Sequence, residues 1–315
     1  MRNLITGING QDGRILSEML IEKGEEVFGI ARDTITMPKK VLITQQKVDI
    51  SNRREFNSFL DQVQPTRIFH LAASHTNSVR MRSHGEDNRN EMFAIHAEAT
   101  KHILEWQKRN LKLGCHSVIA LSSQIFTPTL PITIIDEHVE ENPSTTYGKT
   151  KQLALQYLQE YRDKFGVATS GAILFNHSSI YSKQGFVLHV LARQIANAVE
   201  HNALIITLND FDAILDISNS YDVCDAMNRM SRMKASSDYI LSSGVATSLR
   251  DLTNSCLAHY SIAGRVILES KSEETSVRKV LIGNPRKAIE RLKWEPTTNP
   301  LNLMIGLVEH FRSES

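Results

Sequence analysis

The sequence predicts an α/β protein: a doubly wound parallel sheet followed by a smaller, mixed α/β C-terminal lobe. Three observations predict it. Apolar, β-rich runs alternate with amphipathic helical patterns through the first half of the chain, the order that builds parallel βαβ units covered on both faces. A glycine-rich turn, Gly7-Ile8-Asn9-Gly10-Gln11-Asp12-Gly13, joins the first apolar run to the first helical pattern. Beyond residue 177 the alternation weakens into short runs separated by polar loops.

Taken in order, strands are expected at 3–8, 26–31, 41–50, 67–73 and 117–123, with helices at 11–24, 52–63, 88–110 and 145–165. In the first helix Ile15, Leu16, Met19 and Leu20 share one apolar face. Gly24 follows where a left-handed C-terminal residue is wanted. The 41–50 strand is the weakest pattern, because Thr44-Gln45-Gln46-Lys47 interrupts it. A strand at 171–176 leads to a polar loop at 178–185 and a helix at 186–201. Strands at 203–208, 238–242 and 265–269 and helices at 220–231, 248–259, 285–292 and 302–312 complete the chain, with Asn284 as the expected N-cap of the 285–292 helix. Residues 1–177 therefore read as a dinucleotide-binding domain. Residues 178–315 read as a smaller substrate lobe that shares elements with the first.

Composition narrows the function classes. Among 315 residues, 41% are hydrophobic and 23% charged, and 36 Lys+Arg against 35 Asp+Glu leave a net charge of +1. That balance argues against nucleic-acid and membrane-surface partners. No run approaches the roughly 20 apolar residues of a membrane span. The opening residues lack a signal-peptide pattern. Cys115, Cys224 and Cys256 are far apart and odd in number, which suggests no disulfide framework and a reducing, cytoplasmic setting. The twelve histidines form no HExxH and no His/Cys cluster with metal spacing, so no metal is expected.

Gly7, Gly10 and Gly13 stand between an apolar strand and a helix start, with Asn9, Gln11 and Asp12 between them. Glycines there permit a tight turn and let the backbone approach a pyrophosphate, which the helix N-terminus attracts through its free N–H groups. This marks a Rossmann-type cofactor site. The second strand ends at Arg32, a residue suited to a ribose 2′-phosphate, and this favours NADP. Asp33 follows and keeps NAD as the alternative. Asp49 and Ile50 close the third strand where an adenine edge is held. Leu71, Ala72 and Ala73 close the fourth, where small residues let a cofactor cross the sheet.

Tyr147 and Lys151 form Tyr-x-x-x-Lys, and positions i and i+4 share one helix face. The ammonium is expected to lower the phenol's pKa so that Tyr147 exchanges a proton with a substrate hydroxyl during hydride transfer. Ser122, at the end of the fifth strand, is placed to hold the reacting oxygen. It lacks the GxSxG context of a hydrolase nucleophile.

These residues resemble the extended short-chain dehydrogenase/reductases that modify nucleotide sugars, whose glycine spacing is the GxxGxxG seen here. Within them the chain is most similar to the GDP-mannose 4,6-dehydratase branch. The resemblance rests on Ile5-Thr6-Gly7-Ile8-Asn9-Gly10-Gln11-Asp12-Gly13, Glu22-Lys23-Gly24, Tyr147-x-x-x-Lys151, Ile173-Leu174-Phe175-Asn176-His177, Ser242-Ser243-Gly244-Val245 with Ser248-Leu249-Arg250, and Leu292-Lys293-Trp294-Glu295-Pro296. It implies that the glycine loop, Arg32, Asp49, Ile50, Leu71 to Ala73, Tyr147, Lys151 and His177 touch NADP. It also implies that Ser122, Tyr147 and Lys151 form the catalytic trio. Ser123, Asn176, Lys183 and Arg250 become candidate contacts for a nucleotide sugar, GDP-linked in this branch. A homodimer through the 88–110 and 145–165 helices is implied as well.

Departures from that pattern shape the expected chemistry. The family places a Glu two residues after its catalytic Ser/Thr, and here that residue is Gln124. In the family scheme oxidation at C4 acidifies the C5 proton, and a carboxylate removes it as water leaves C6. A neutral amide does not serve as that base. The family's Tyr-Gly is Phe126-Thr127, and its Glu-Ser-Pro-Arg-Arg-Gly is Ser178-Ser179-Ile180-Tyr181-Ser182-Lys183. Its Lys-Arg-Asp-Trp is Ile214-Leu215-Asp216-Ile217, and its Arg-Pro-Thr-Glu is Glu274-Thr275-Ser276-Val277. Bidentate phosphate recognition is lost with those arginines, leaving Lys183, Arg278 or Lys279 to replace it. Three readings follow. The first is a C4 reductase or epimerase with Gln124 in the base position. The second is a true dehydratase using Glu137 or His177 as base, and the third a cofactor-binding regulatory or scaffold relative without catalysis.

Overall fold

A computed structural model describes residues 1–32, 43–74, 85–201, 204–271 and 279–314. Asp33, the start of the 41–50 strand, the 203 end of another, the 274–277 segment and Arg278 lie outside the described residues. In chain order the strands are β1 (Arg2–Thr6), β2 (Glu26–Ala31), β3 (Ile43–Lys47), β4 (Arg67–His70), β5 (His116–Ala120), β6 (Ile132–Ile135), β7 (Thr169–Leu174), β8 (Asn176–Ser178), β9 (Ile205–Leu208), β10 (Ile214–Asn219), β11 (Tyr239–Leu241), β12 (Ala246–Ser248), β13 (Ile267–Ser270) and β14 (Val280–Gly283). The helices are α1 (Gln11–Glu22), α2 (Arg53–Val63), α3 (Gly85–Met92), α4 (Ala99–Arg109), α5 (Thr146–Phe165), α6 (Val187–His201), α7 (Ser220–Met230), α8 (Leu249–His259), α9 (Arg286–Leu292) and α10 (Pro300–Ser313).

The large sheet has the order β11-β7-β5-β4-β1-β2-β3, and every neighbouring pair in it is parallel. This is the expected Rossmann-type α/β class. Strand order reverses between β1 and β4, which opens the crevice where such sheets bind ligands. One face is covered by α2, α4 and α5 through Phe56, Leu60, Ile103, Trp106 and Leu158. The other is covered by α1, α7 and α9 through Ile15, Leu16, Met227 and Leu292. Burial on both faces explains the near-continuous apolar runs of β1 and β5. The polar β3 is an edge strand with Thr44, Gln46 and Lys47 exposed, so its interrupted pattern suits its place.

Residues beyond β8 divide between two cores. The helix α7 and the strand β11 return to the large sheet, while α6, α8 and α10 build a separate cluster around Leu191, Ile195, Leu252, Met304 and Phe311. Short sheets frame this lobe: β12-β10-β8, β13-β9 and β14-β6. The sequence missed β6, β10, β12 and β14. The expected cap of α9 also differs. Pro285 occupies the N-cap position with no side-chain cap, while Asn284 Oδ1 still accepts from Arg286 N at 3.1 Å. At α10, Asn299 caps and Pro300 follows in the first turn, where a missing N–H costs nothing.

A buried carboxylate knots the lobe. Asp216 is 0% exposed and accepts from Ser243 N (2.8 Å), Ser243 Oγ (2.6 Å), Gly244 N (3.2 Å) and Gly283 N (3.0 Å). It joins β10, the 242–244 turn and the end of β14. Asp216→Ala leaves those donors without an acceptor, so denaturant unfolding should show a loss of about 3 kcal/mol or more. A loss near zero would mean that the knot does not hold the lobe.

Candidate active site

The site grows from three main-chain approaches at the C-terminal ends of the strands. At Gly7 the backbone turns with φ +72°, and a Cβ there would lie 2.9 Å from the Ala72 backbone. At Gly13 a Cβ would lie 2.5 Å from Gly7 O. The Gly7–Gly13 turn is thus folded tightly against Leu71 and Ala72, across the β1/β4 switch. Gly10, the N-cap of α1, carries no side-chain cap. The N–H groups of the first turn and the positive end of the helix dipole therefore suit an anion such as a dinucleotide pyrophosphate.

Gln11 and Asp12 do something further. Gln11 Oε1 accepts from Ser179 Oγ (3.0 Å) and Ser182 Oγ (2.7 Å), so the glycine turn clamps the segment that enters the second lobe. Asp12 Oδ2 pairs with His177 Nε2 at 3.0 Å, and His177 Nδ1 donates to Phe175 O at 2.7 Å. Burial opposes the imidazolium, but the Asp12 charge and these hydrogen bonds outweigh it and raise His177 to about 9. A bare carboxylate in the first turn would repel a phosphate. The His177 cation neutralises it and keeps the cradle fit for one.

The trio assembles at the third approach. The N-cap Thr145 accepts from Gly148 N at 3.0 Å and starts α5 beside the turn that follows β5. Any Cβ on Gly148 would collide with Gln124 O. This closeness brings the Tyr147 hydroxyl into a hydrogen bond with Ser122. Lys151 is 2% exposed; its Nζ donates to Ala120 O at 2.7 Å and lies 5.8 Å from the centre of the Tyr147 ring. The expected lowering of the phenol is not what results. Burial pushes Tyr147 up to about 12, against the Ser122 hydrogen bond and with the Asp12 charge. Burial likewise brings Lys151 down to about 7. Desolvation is the largest cause at both groups.

Other predicted residues stand further apart. Arg32, 63% exposed, is salt-bridged to Glu91 of α3. Asp49 caps its own turn, accepting from Ser51 N and Ser51 Oγ, while Ile50 is buried. Ser123 begins the short turn after Ser122, and Gln124 is exposed, accepting from Thr145 Oγ1 at 3.3 Å. Asn176 is exposed on β8 beside His177. Lys183 is exposed, and Arg250 is paired with Asp212 at 2.7 Å, away from the trio. Sequence reasoning missed Gly148, Thr150, His70 and His96. Gly148 and Thr150 carried a local signal, their place inside the Tyr-x-x-x-Lys stretch, and His70 and His96 carried none. Among the described residues no cluster of three or more His, Cys, Asp or Glu fits a metal ion, and no helix is long and apolar enough to cross a membrane.

The model of a family described as "GDP-mannose 4,6 dehydratase" matches residues 4–304. The chain is 24% identical to GDP-mannose 4,6 dehydratase 2 of Caenorhabditis elegans, across 93% of this chain and 84% of that protein. It is 25% identical to the Homo sapiens GDP-mannose 4,6 dehydratase, across 93% and 81%. Among solved structures, a putative epimerase from Burkholderia cenocepacia superposes with TM-score 0.82 at 20% identity, covering 99% of this chain and 98% of that one. The NADPH complex of RMD from Pseudomonas aeruginosa superposes with TM-score 0.78 at 18% identity, covering 100% and 98%.

The Asp12–His177 pair has a pH signature. A histidine raised in the fold contributes stability that is complete below its ordinary 6.5 and is lost as pH climbs through about 9. Lys151 runs the other way, because its folded value is lowered to about 7 and the unfolded chain binds the extra proton. The comparison is therefore between wild type and His177→Gln. Their difference in unfolding free energy should be largest near pH ~6 and shrink by about 2 kcal/mol or more by pH ~9.5. A pH-independent gap would show that His177 is not a cation in the fold.

Proposed function

The chain belongs to the GDP-mannose 4,6-dehydratase family, and from that premise we propose a nicotinamide-dependent enzyme that reduces or epimerises C4 of a nucleotide sugar. The observation that carries this is the Ser122–Tyr147–Lys151 cluster at the C-terminal end of β5, with an amide, Gln124, where 4,6-dehydration needs a carboxylate. The Gly7–Gly13 turn would hold the dinucleotide, which when bound would supply the hydride acceptor and donor. Ser122 Oγ holds the sugar O4, and Tyr147 Oη exchanges the proton at that oxygen. A phenol raised to about 12 is protonated at neutral pH and suits proton donation to O4 in the reductive direction. Lys151 lies beside that ring, its Nζ 5.8 Å from the ring centre and anchored on Ala120 O.

The two substitute bases for a dehydratase are both engaged. Glu137 Oε1 accepts from Ile240 N at 2.9 Å, and His177 commits its two nitrogens to Asp12 and Phe175 O. This supports reduction or epimerisation over dehydration. For the diphosphate, Arg193 and Lys271 line a cleft of about 280 Å³ with Gln184, His189 and Thr207. In this reading they replace the absent arginines, and the nucleotide is GDP, as in the relatives' names. A homodimer through the 88–110 and 145–165 helices belongs to the same reading.

The preferred cofactor is NADP, gripped by Arg32. An exposed ion pair is worth about 0–1 kcal/mol, so a 2′-phosphate dianion displaces Glu91 cheaply. Arg32→Ala should weaken NADPH binding about tenfold while leaving NADH within about twofold, read by cofactor fluorescence. Equal losses for both cofactors would remove Arg32 from the 2′-phosphate. The reaction itself is tested by supplying GDP-mannose, and separately a GDP-linked 4-keto sugar with NADPH. Consumption of NADPH with the keto sugar, and its fall by about 100-fold or more in Tyr147→Phe, is expected. Vigorous formation of a 4-keto-6-deoxy product from GDP-mannose would overturn the role given to Gln124.

A further inference from the structure

Between α3 and α4 the helical path does not break; it widens into a π-helical turn over Phe93–Glu98. Such a turn inserts a residue, shifts the register of the side chains and recurs at functional sites. Here its disturbed backbone is satisfied from the sheet. His70, 1% exposed at the end of β4, is held neutral by burial and the Lys151 charge. Its Nε2–H donates to Ile95 O at 3.0 Å, and its Nδ1 accepts from Thr6 Oγ1 at 2.8 Å.

The widened turn aims His96, also 1% exposed, at the catalytic helix. Ser74 N donates to His96 Nε2 at 3.1 Å. A nitrogen that accepts carries no proton, so the ring proton sits on Nδ1 and is donated to Thr150 Oγ1 at 2.8 Å. Thr150 in turn donates to Tyr147 O at 2.8 Å. The imidazole also meets the phenol ring edge to face, with centroids 5.1 Å apart and planes at 81°. One side chain thus grips the backbone just past Ala73, the first turn of α5 and the ring of Tyr147.

We propose that His96 is a positioning residue for Tyr147, fixing the phenol against Ser122 through Thr150 and the ring contact. It acts through Tyr147 and touches neither substrate nor dinucleotide. A histidine that merely filled core space would need neither the defined tautomer nor the π turn that delivers it. The inference rests on the proton-transfer role given to Tyr147 above, and its test separates the two.

The first arm needs no turnover. In protein labelled with 13C-tyrosine, the Tyr147 ring signal is identified by its loss in Tyr147→Phe. His96→Leu should shift and broaden that signal. His96→Asn, whose amide N–H sits near the Nδ1 position and can still reach Thr150, should restore most of it. The second arm is kinetic. With the productive keto sugar, His96→Leu should lower kcat about 10- to 100-fold, with KM for the sugar and affinity for NADPH within about twofold. His96→Asn should recover most of kcat. A Tyr147 signal unchanged in folded His96→Leu, or a loss that falls on NADPH affinity instead of kcat, overturns the proposal. If no sugar nucleotide is turned over, the activity reading fails while the ring signal still decides His96. If His96→Leu does not fold, the same comparison is made with Thr150→Val, which breaks the relay between His96 and Tyr147 O and should reproduce the signal shift, and with Thr150→Ser, which should restore it.

Discussion

The site depends on a backbone contact that only glycine allows. The first turn of α5 lies so close to the turn after β5 that no side chain fits at Gly148 against Gln124 O. That distance decides whether the Tyr147 hydroxyl reaches Ser122 and whether Lys151 reaches Ala120 O. Thr145 starts the helix at the required place by capping Gly148 N. The opposite wall is built in the same way, with Gly7 pressed on Ala72 and Gly13 on Gly7 O. Three close approaches of main chain therefore define the crevice, and the side chains hung on them inherit their positions.

Burial then governs the electrostatics. It raises Tyr147, lowers Lys151 and keeps His70 neutral, so desolvation acts against charge at each of them. At His177 burial pulls the same way, but Asp12 and its hydrogen bonds prevail. The pair occupies the first turn of α1, where a net negative charge would oppose a pyrophosphate. Asp12 with its cation leaves that terminus near neutral, and the same contact ties the glycine turn to the entry of the second lobe. Cofactor cradle and lobe orientation are in this way parts of one hydrogen-bonded unit, completed by Gln11 on Ser179 and Ser182.

What was legible in the sequence is what local chemistry encodes. The glycine turn, the α1 face of Ile15, Leu16 and Leu20, the left-handed Gly24 (φ +71°) and the Tyr-x-x-x-Lys spacing are each set within one element. The strand β6 was not legible, because its partner β14 is far along the chain, with Ile132 opposite Val280. The strands β10 and β12 likewise exist through pairing with one another, Ile214 opposite Ser248. His96 escaped notice for a related reason. In an ordinary α-helix its position means little, and the π turn that redirects it has no periodic signature. The pKa of Tyr147 was misjudged because a sequence shows which charges are neighbours but not how much water both have lost.

The second lobe departs from its family in charge and not in architecture. Of the stretch Ile214-Leu215-Asp216-Ile217, the flanking cations and the Trp are gone while the carboxylate remains, and that carboxylate binds four donors from two segments, the 242–244 turn and the end of β14. Arg193 of α6 and Lys271 after β13 line one cleft of this lobe. A buried Asp with its donors, a Tyr147–Ser122 hydrogen bond beside a buried Lys151, and an Asp12–His177 pair at the glycine turn each carry a folding or desolvation cost of their own. Their joint presence fits the enzyme family to which the chain belongs. Gln124 sits exposed beside Thr145, and the Ser122–Tyr147 hydrogen bond is kept beside it.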